Sequence, residues 1–232
     1  MAKTTPQRRK QQQKQTRETN WLLIGGIIAV GVLVFGGLIY LALRTPESAP
    51  VQALADYCAE FSDRCAVTGE ADAPVTLVEV SDFGCPHCQD FHRETAEELK
   101  AQYVDTGTTR WVAMPYSLNP TTLAAAASAM CANEQDSYFE YANTLFTIEP
   151  SATRLSLPGF QQAAEAIGLD VDAFTSCVNS ERYVAAVNEN IQAAGRVGVS
   201  GTPTFFLNNE ELSGAQPLTA FGQVIEGLLA EQ

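Results

Sequence analysis

The sequence predicts an α/β domain, a small sheet with a helical insertion, preceded by one N-terminal transmembrane helix. Three observations carry this expectation. The apolar patterns run strand, helix, strand, then several helices, then a hairpin and a last helix. Residues 21–43 hold 23 residues without a charge. All six cysteines, at 58, 65, 85, 88, 131 and 177, follow that run. A chain of 232 residues, 46% hydrophobic, is long enough for one such domain and its core.

Residues 1–20 are glutamine-rich, with six basic residues and one acid, Glu18. They have no apolar face to bury and are expected to form a disordered cytoplasmic tail. As a helix, WLLIGGIIAVGVLVFGGLIYLAL (21–43) would be about 35 Å long, enough to cross a hydrocarbon core of about 30 Å. Trp21 and Tyr40 stand near its ends, where aromatic belts lie. Basic residues precede the run and only Arg44 follows it closely, so the N-terminus is expected inside and the rest extracytoplasmic. A cleaved signal peptide would have a shorter apolar region, roughly 7–15 residues. The nearest small-x-small site, Ala53-Leu54-Ala55, lies well beyond the run, which favours an uncleaved anchor.

Residues 44–56 (RTPESAPVQALAD) read as a tether, and 57–232 as the folded domain. Residues 45–232 carry seven basic and 26 acidic residues, a net of −19. So acidic a domain repels phosphates, which excludes nucleic acid as a partner class. VTLVEVS (75–81) is a β-branched apolar run that reads as a buried strand. A helix follows at once, with Pro86 in its first turn, where a missing N–H costs nothing. Cys88, Phe91, Thr95 and Leu99 share one of its faces. RWVAMPY (110–116) reads as a second strand.

The helical insertion is expected over about 119–180. Asn119-Pro120 starts it, Tyr138, Tyr141, Ala142 and Leu145 continue a stripe, and Gly168 stops a short helix. Asp170 caps the helix holding Phe174 and Cys177, and Ser180 is read as the cap of a longer one. TFFLN (204–208) and ELSG (211–214) flank Asn209-Glu210 as a hairpin, and PLTAFGQVIEGLL forms the final helix.

The pair in SDFGCPHCQDFH (81–92) has three chemical readings. A structural zinc site needs four ligands, and the chain offers one C-x-x-C and two histidines, His87 and His92. A passive staple across two residues closes almost no loop and adds little stability. Redox chemistry has a positive argument. The strand-to-helix context puts Cys85 at a helix N-terminus, where unpaired N–H groups and the dipole stabilise a thiolate. A protonated His87 would add to this. The thiolate exists only in the reduced protein, so stabilising it makes the disulfide a stronger oxidant. Cys85 then stands at the exposed tip as nucleophile, and Cys88, one turn in, resolves the mixed disulfide.

VEVSDFGCPHC, followed 118 residues later by GVSGTPTFF, resembles the DsbA-like thiol–disulfide oxidoreductases of the thioredoxin superfamily. The resemblance covers roughly residues 66–232. It implies a thioredoxin fold interrupted by a helical domain, with Pro203 after a cis peptide bond beside the pair. The backbone of Thr202 would then accept an extended substrate as an added strand. The resemblance also places Glu79 as a buried acid under the pair, able to exchange protons with Cys88 through water. Glu79 pointing to solvent from an edge position is the alternative.

Cys58 and Cys65 (CAEFSDRC) are close enough in sequence for a local loop. A second disulfide, Cys131–Cys177, is implied by the relatives; free buried thiols are the alternative. The activity implied is that of a disulfide oxidase acting on reduced extracytoplasmic proteins. No bound cofactor is needed, and the re-oxidant implied is a quinone-linked membrane protein of the DsbB or vitamin K epoxide reductase type. A reductase or isomerase of the same fold, or a non-catalytic thioredoxin-like chaperone module, are the alternatives. The absence of an obvious dimerisation segment favours a monomer over an isomerase.

Overall fold

The structure is a computed structural model that describes residues 21, 24–36, 50–208 and 210–231, with only the backbone at 50 and 51. The chain falls into two units, Met1–Glu47 and Ser48–Gln232. In the first unit, residues 24–36 form helix α1, whose side chains are all exposed. The rest of the expected span (22–23 and 37–43) and the tail over 1–20 lie outside the described residues. Among the described residues no helix is long and apolar enough to cross a membrane.

The second unit is a five-stranded sheet in the order β1-β3-β2-β4-β5. The strands are β1 Ala66–Thr68, β2 Val75–Ser81, β3 Thr109–Pro115, β4 Thr204–Leu207 and β5 Glu210–Ser213. β2 and β3 are parallel, and every other pairing is antiparallel. β2 is central and fully flanked, which is why VTLVEVS is apolar almost throughout. Its alternate residues face opposite layers.

Val78 and Val80 pack with Leu54 of α2 (Pro50–Glu60) and with Ala193 and Ala194 of α10 (Val184–Arg196). Val75 and Leu77 pack on the other side with Phe91 of α3 (Pro86–Glu94), Leu99 of α4 (Ala96–Leu99), and Phe221 and Ile225 of α11 (Leu218–Ala230). Burying each such side chain is worth about 1.5–3 kcal/mol. α3 ends at Thr95, and the chain passes through α4 into a π-helical turn, Lys100–Val104, before β3.

The insertion holds α5 (Leu123–Asn133), α6 (Tyr138–Thr147), α7 (Ser151–Arg154), α8 (Leu157–Ala166) and α9 (Val171–Asn179). It has its own apolar cluster, centred on Tyr141, Leu145, Phe146, Phe160 and Phe174. Gly168 takes φ +78 after α8, and Asp170 Oδ1 accepts the Ala173 N–H at 2.9 Å at the start of α9.

Two expectations change. The tether read over 44–56 ends sooner: from Pro50 the chain is α2, because Leu54 and Cys58 supply an apolar face that the sheet buries. Ser180 caps no new helix; its hydroxyl turns back to the Cys177 carbonyl at 2.6 Å and closes α9. α5 begins at Leu123, where the expected run LAAAASAMC starts, after the hydrogen-bonded turn Ser117–Thr122. The edge strand β1 was not anticipated, since three residues carry too little pattern to read.

Candidate active site

β2 ends at Ser81, and the loop Asp82–Gly84 carries the chain over the end of the sheet into α3. The buried Asp82 fixes that loop. Its Oδ1 accepts the Gly84 N–H at 2.7 Å. Its Oδ2 accepts the Leu118 N–H at 2.6 Å and the Thr122 hydroxyl at 3.0 Å. Gly84 has no room for a side chain, because a Cβ there would run into the Thr122 methyl. From the insertion, the buried Arg154 donates to the Phe83 carbonyl at 3.1 Å and the Ile148 carbonyl at 3.0 Å.

Cys85 is the N-cap of α3 and Pro86 its first helical residue. Both cysteines are free thiols. Cys88 is 0% exposed, as helical register predicts. Cys85 is only 8% exposed, less open than a helix tip should be. The segment before β4 covers it: the Cys85 thiol donates to the Thr202 carbonyl at 3.2 Å. The Thr202–Pro203 peptide bond is cis, and Pro203 is buried.

The two sulfurs are pushed in opposite directions. A hydrogen bond from Cys88 pulls the Cys85 thiol down to about 5 against the opposing effect of burial. The Thr202 hydroxyl and the backbone N–H groups of Cys88 and His87 pull the same way. Burial pushes Cys88 well up, and the neighbouring Cys85 adds to that. The result is one sulfur that gives up its proton readily, and with it the bond to the Thr202 carbonyl, and one that keeps its proton. The His87 ring is 71% exposed and lies 3.7 Å from Asp90, so it is the backbone N–H of this residue that bears on Cys85.

Glu79 is 2% exposed and lies in the central strand rather than at an edge. Its Oε1 meets His92 Nε2 at 2.9 Å and its Oε2 accepts the Trp111 indole N–H at 3.0 Å. His92 Nδ1 meets Asn143 Oδ1 at 2.7 Å, an orientation supported by the Asn143 amide donating to Glu97 at 3.3 Å. Burial, then the charges of Glu79 and Cys88, push the Tyr138 hydroxyl well up, so one buried phenol responds to both groups.

Cys58 bonds Cys65 and Cys131 bonds Cys177. The first ties α2 to the residue just before β1, and the second joins α5 to α9. Among the described residues no cluster of cysteine, histidine and carboxylate could hold a metal ion.

Sequence reading missed His92, Asp82 and Arg154 as parts of the site. His92 had a signal: it stands four residues after Cys88, on the same inward helix face. Asp82 two residues before Gly84 is the spacing of an Asx turn. Arg154 lies 69 residues beyond Cys85 and had no signal at all.

Residues 62–227 match the sequence model of the family described as Thioredoxin. A Na(+)/H(+) antiporter NhaA 1 of Salinispora arenicola is 30% identical over 173 residues, 72% of this chain. The chain spans 25% of that relative's length. A putative protein-disulfide oxidoreductase of Rickettsia felis is 25% identical over 195 residues, 82% of this chain and 67% of the relative. Among solved structures, alpha-DsbA1 of Wolbachia pipientis superposes with a TM-score of 0.64 at 26% identity, covering 72% of this chain and 92% of that one.

Proposed function

The chain belongs to the thioredoxin family, with the DsbA-like thiol–disulfide oxidoreductases, and from this premise we propose that it is a membrane-anchored disulfide oxidase. The observation that carries the direction is the Cys85 thiol held down to about 5. Each unit of such a shift favours the thiolate by about 1.4 kcal/mol, and that stabilisation belongs to the reduced form alone. A pair whose reduced form is stabilised gives up its disulfide readily.

In this reading a substrate thiolate attacks the Cys85 sulfur of the Cys85–Cys88 disulfide. A substrate–Cys85 bond forms, and Cys88 leaves with the electron pair. A second substrate thiolate then attacks the first substrate sulfur. The substrate gains a disulfide and the enzyme keeps two electrons as its dithiol. Cys85 is the better leaving group because its thiolate is stabilised. The backbone at Thr202, beside Cys85, takes the substrate as an extended segment. Glu79, on the same face of β2 as Ser81 and below α3, exchanges the Cys88 proton through water.

The reduced pair is re-oxidised by a quinone-linked membrane protein of the DsbB or vitamin K epoxide reductase type. The enzyme works as a monomer without a bound cofactor, outside the membrane, on reduced secreted or surface proteins. The exposed apolar side chains of α1, from Ile24 to Phe35, support residues 21–43 as its anchor.

Titrating the full chain in detergent against glutathione tests the direction. A potential well above about −200 mV is expected for an oxidase. A value near −270 mV, where thioredoxin lies, would overturn it in favour of a reductase.

A further inference from the structure

Ser81 is the last residue of β2 and lies on the same face as Leu77 and Glu79. α3 covers that face, through Phe91 beside Leu77 and His92 beside Glu79. Cys88 sits in the first turn of α3, above the end of the strand. The backbone N–H of Asp82 donates to the Cys88 sulfur at 3.5 Å. Ser81 precedes Asp82, so its side chain, on the face of β2 that α3 covers, stands next to the residue whose N–H meets the sulfur. Ser81 is 7% exposed, and its hydroxyl has no hydrogen-bond partner among the described residues.

A buried hydroxyl without a partner costs stability, and replacing it by hydrogen should cost nothing. Such a group calls for an explanation, and a role in a redox or catalytic step is one. We propose that Ser81 is a catalytic hydrogen-bond donor to Cys88: idle while Cys88 is a thiol, it turns onto the sulfur once Cys88 becomes the thiolate that clears a mixed disulfide from Cys85. The proposal rests on thiol–disulfide exchange at this pair, not on its direction. The Ser81 hydroxyl favours the charged form of Cys88, against the burial that pushes this thiol well up.

The step balances without an added oxidant. Cys85 begins joined to a foreign sulfur, and Cys88, which is fully buried, has passed its proton out through water by way of Glu79. The Cys88 thiolate attacks the Cys85 sulfur, the Cys85–Cys88 bond forms, and the bond to the foreign sulfur breaks. The electron pair leaves on that sulfur, which takes a proton from solvent. The enzyme pair is oxidised and the foreign sulfur is reduced to a thiol.

The test uses the reduced full-length chain with 5,5′-dithiobis(2-nitrobenzoate). Cys85 takes up one thionitrobenzoate in a first phase, and Cys88 releases it in a second. Ser81→Ala should slow the second phase about tenfold, the effect of moving the Cys88 equilibrium by about one unit. The first phase should stay unchanged and the melting temperature should hold or rise. Ser81→Thr, which keeps the hydroxyl, should stay near the parent rate.

A second phase as fast in Ser81→Ala as in the parent overturns the proposal. So does equal slowing in Ser81→Thr, or slowing together with a lower melting temperature, because packing and not the hydroxyl would then be responsible. Loss of the first phase in the parent would overturn exchange at Cys85 itself, and the proposal with it.

Discussion

Cys85–Cys88 and Cys131–Cys177 share one apolar cluster, yet one pair is an open dithiol and the other a closed bond. Burial does not separate them, since all four residues are buried. Position along the helix does. Cys85 is the N-cap of α3, where the Cys88 thiol, then the Thr202 hydroxyl and the backbone N–H groups of Cys88 and His87, pull its own thiol down. Cys131 and Cys177 lie near the C-terminal ends of α5 and α9, where the dipole disfavours an anion. Reactivity is therefore supplied by the donors around a cysteine, the Cys88 thiol first and the α3 N–H groups after it, and stability by the length of chain that a bond closes.

The largest effects should come from exchanging the fates of the two pairs. Cys85→Ser should cut the rate of disulfide transfer to a reduced test protein by at least about 10³-fold, leaving background. Cys131→Ser with Cys177→Ser should leave that rate near the parent value. Urea unfolding should instead show a loss of about 4 kcal/mol, the chain-entropy value for a separation of 46 residues. If the double variant lost transfer activity while remaining folded, the separation between reactive and structural pairs would fail.

The second effect is one of pH. The Cys85 thiol lies near 5 in the folded reduced chain, against an ordinary value of 9.0. Between those values the unfolded reduced chain binds a proton that the folded one does not. Reduced-state stability should therefore rise with pH across that window, by at most about 1.4 kcal/mol per unit and less where water reaches the sulfur. The contribution is complete above about 9 and is lost as pH falls towards 5. Cys88, pushed well up, works in the opposite sense only above its ordinary value of 9.0. The oxidised chain has neither thiol and should lack this slope. Parallel unfolding profiles for the two redox states between pH 5 and 9 would remove the account of Cys85 as a thiolate held down by Cys88 and the donors around it.

What the sequence shows of this site follows from how local each feature is. The apolar β2, the helix begun by Pro86 and the burial of Cys88 all lie within 21 residues and follow from period alone. The pairing of Thr202 with Cys85 spans 117 residues, and only a family resemblance could place it. Glu79 could be suspected as a buried acid, but its partners come from α3 and β3, so whether it faced water or protein depended on the finished sheet. Asp82 shows the limit most clearly. It reads as a polar loop residue, yet the Leu118–Thr122 turn folds over it and makes it a buried acceptor of three hydrogen bonds.

The smallest expected effect tests the comparison at the scale of one oxygen atom. Like Ser81, Thr202 holds a buried hydroxyl without a partner among the described residues, and it bears on Cys85. Thr202→Val should raise the Cys85 thiol from about 5, by about one unit at most because other donors remain. The shift should appear in the pH dependence of thiolate absorbance, with Cys88 unmoved and stability unchanged or slightly higher. Together with Ser81→Ala this gives each sulfur its own hydroxyl, one acting on the attacking cysteine and one on the resolving cysteine. If Thr202→Val left Cys85 unmoved, the low value would rest on Cys88 and the α3 N–H groups alone, and the closing segment would shape substrate access rather than reactivity.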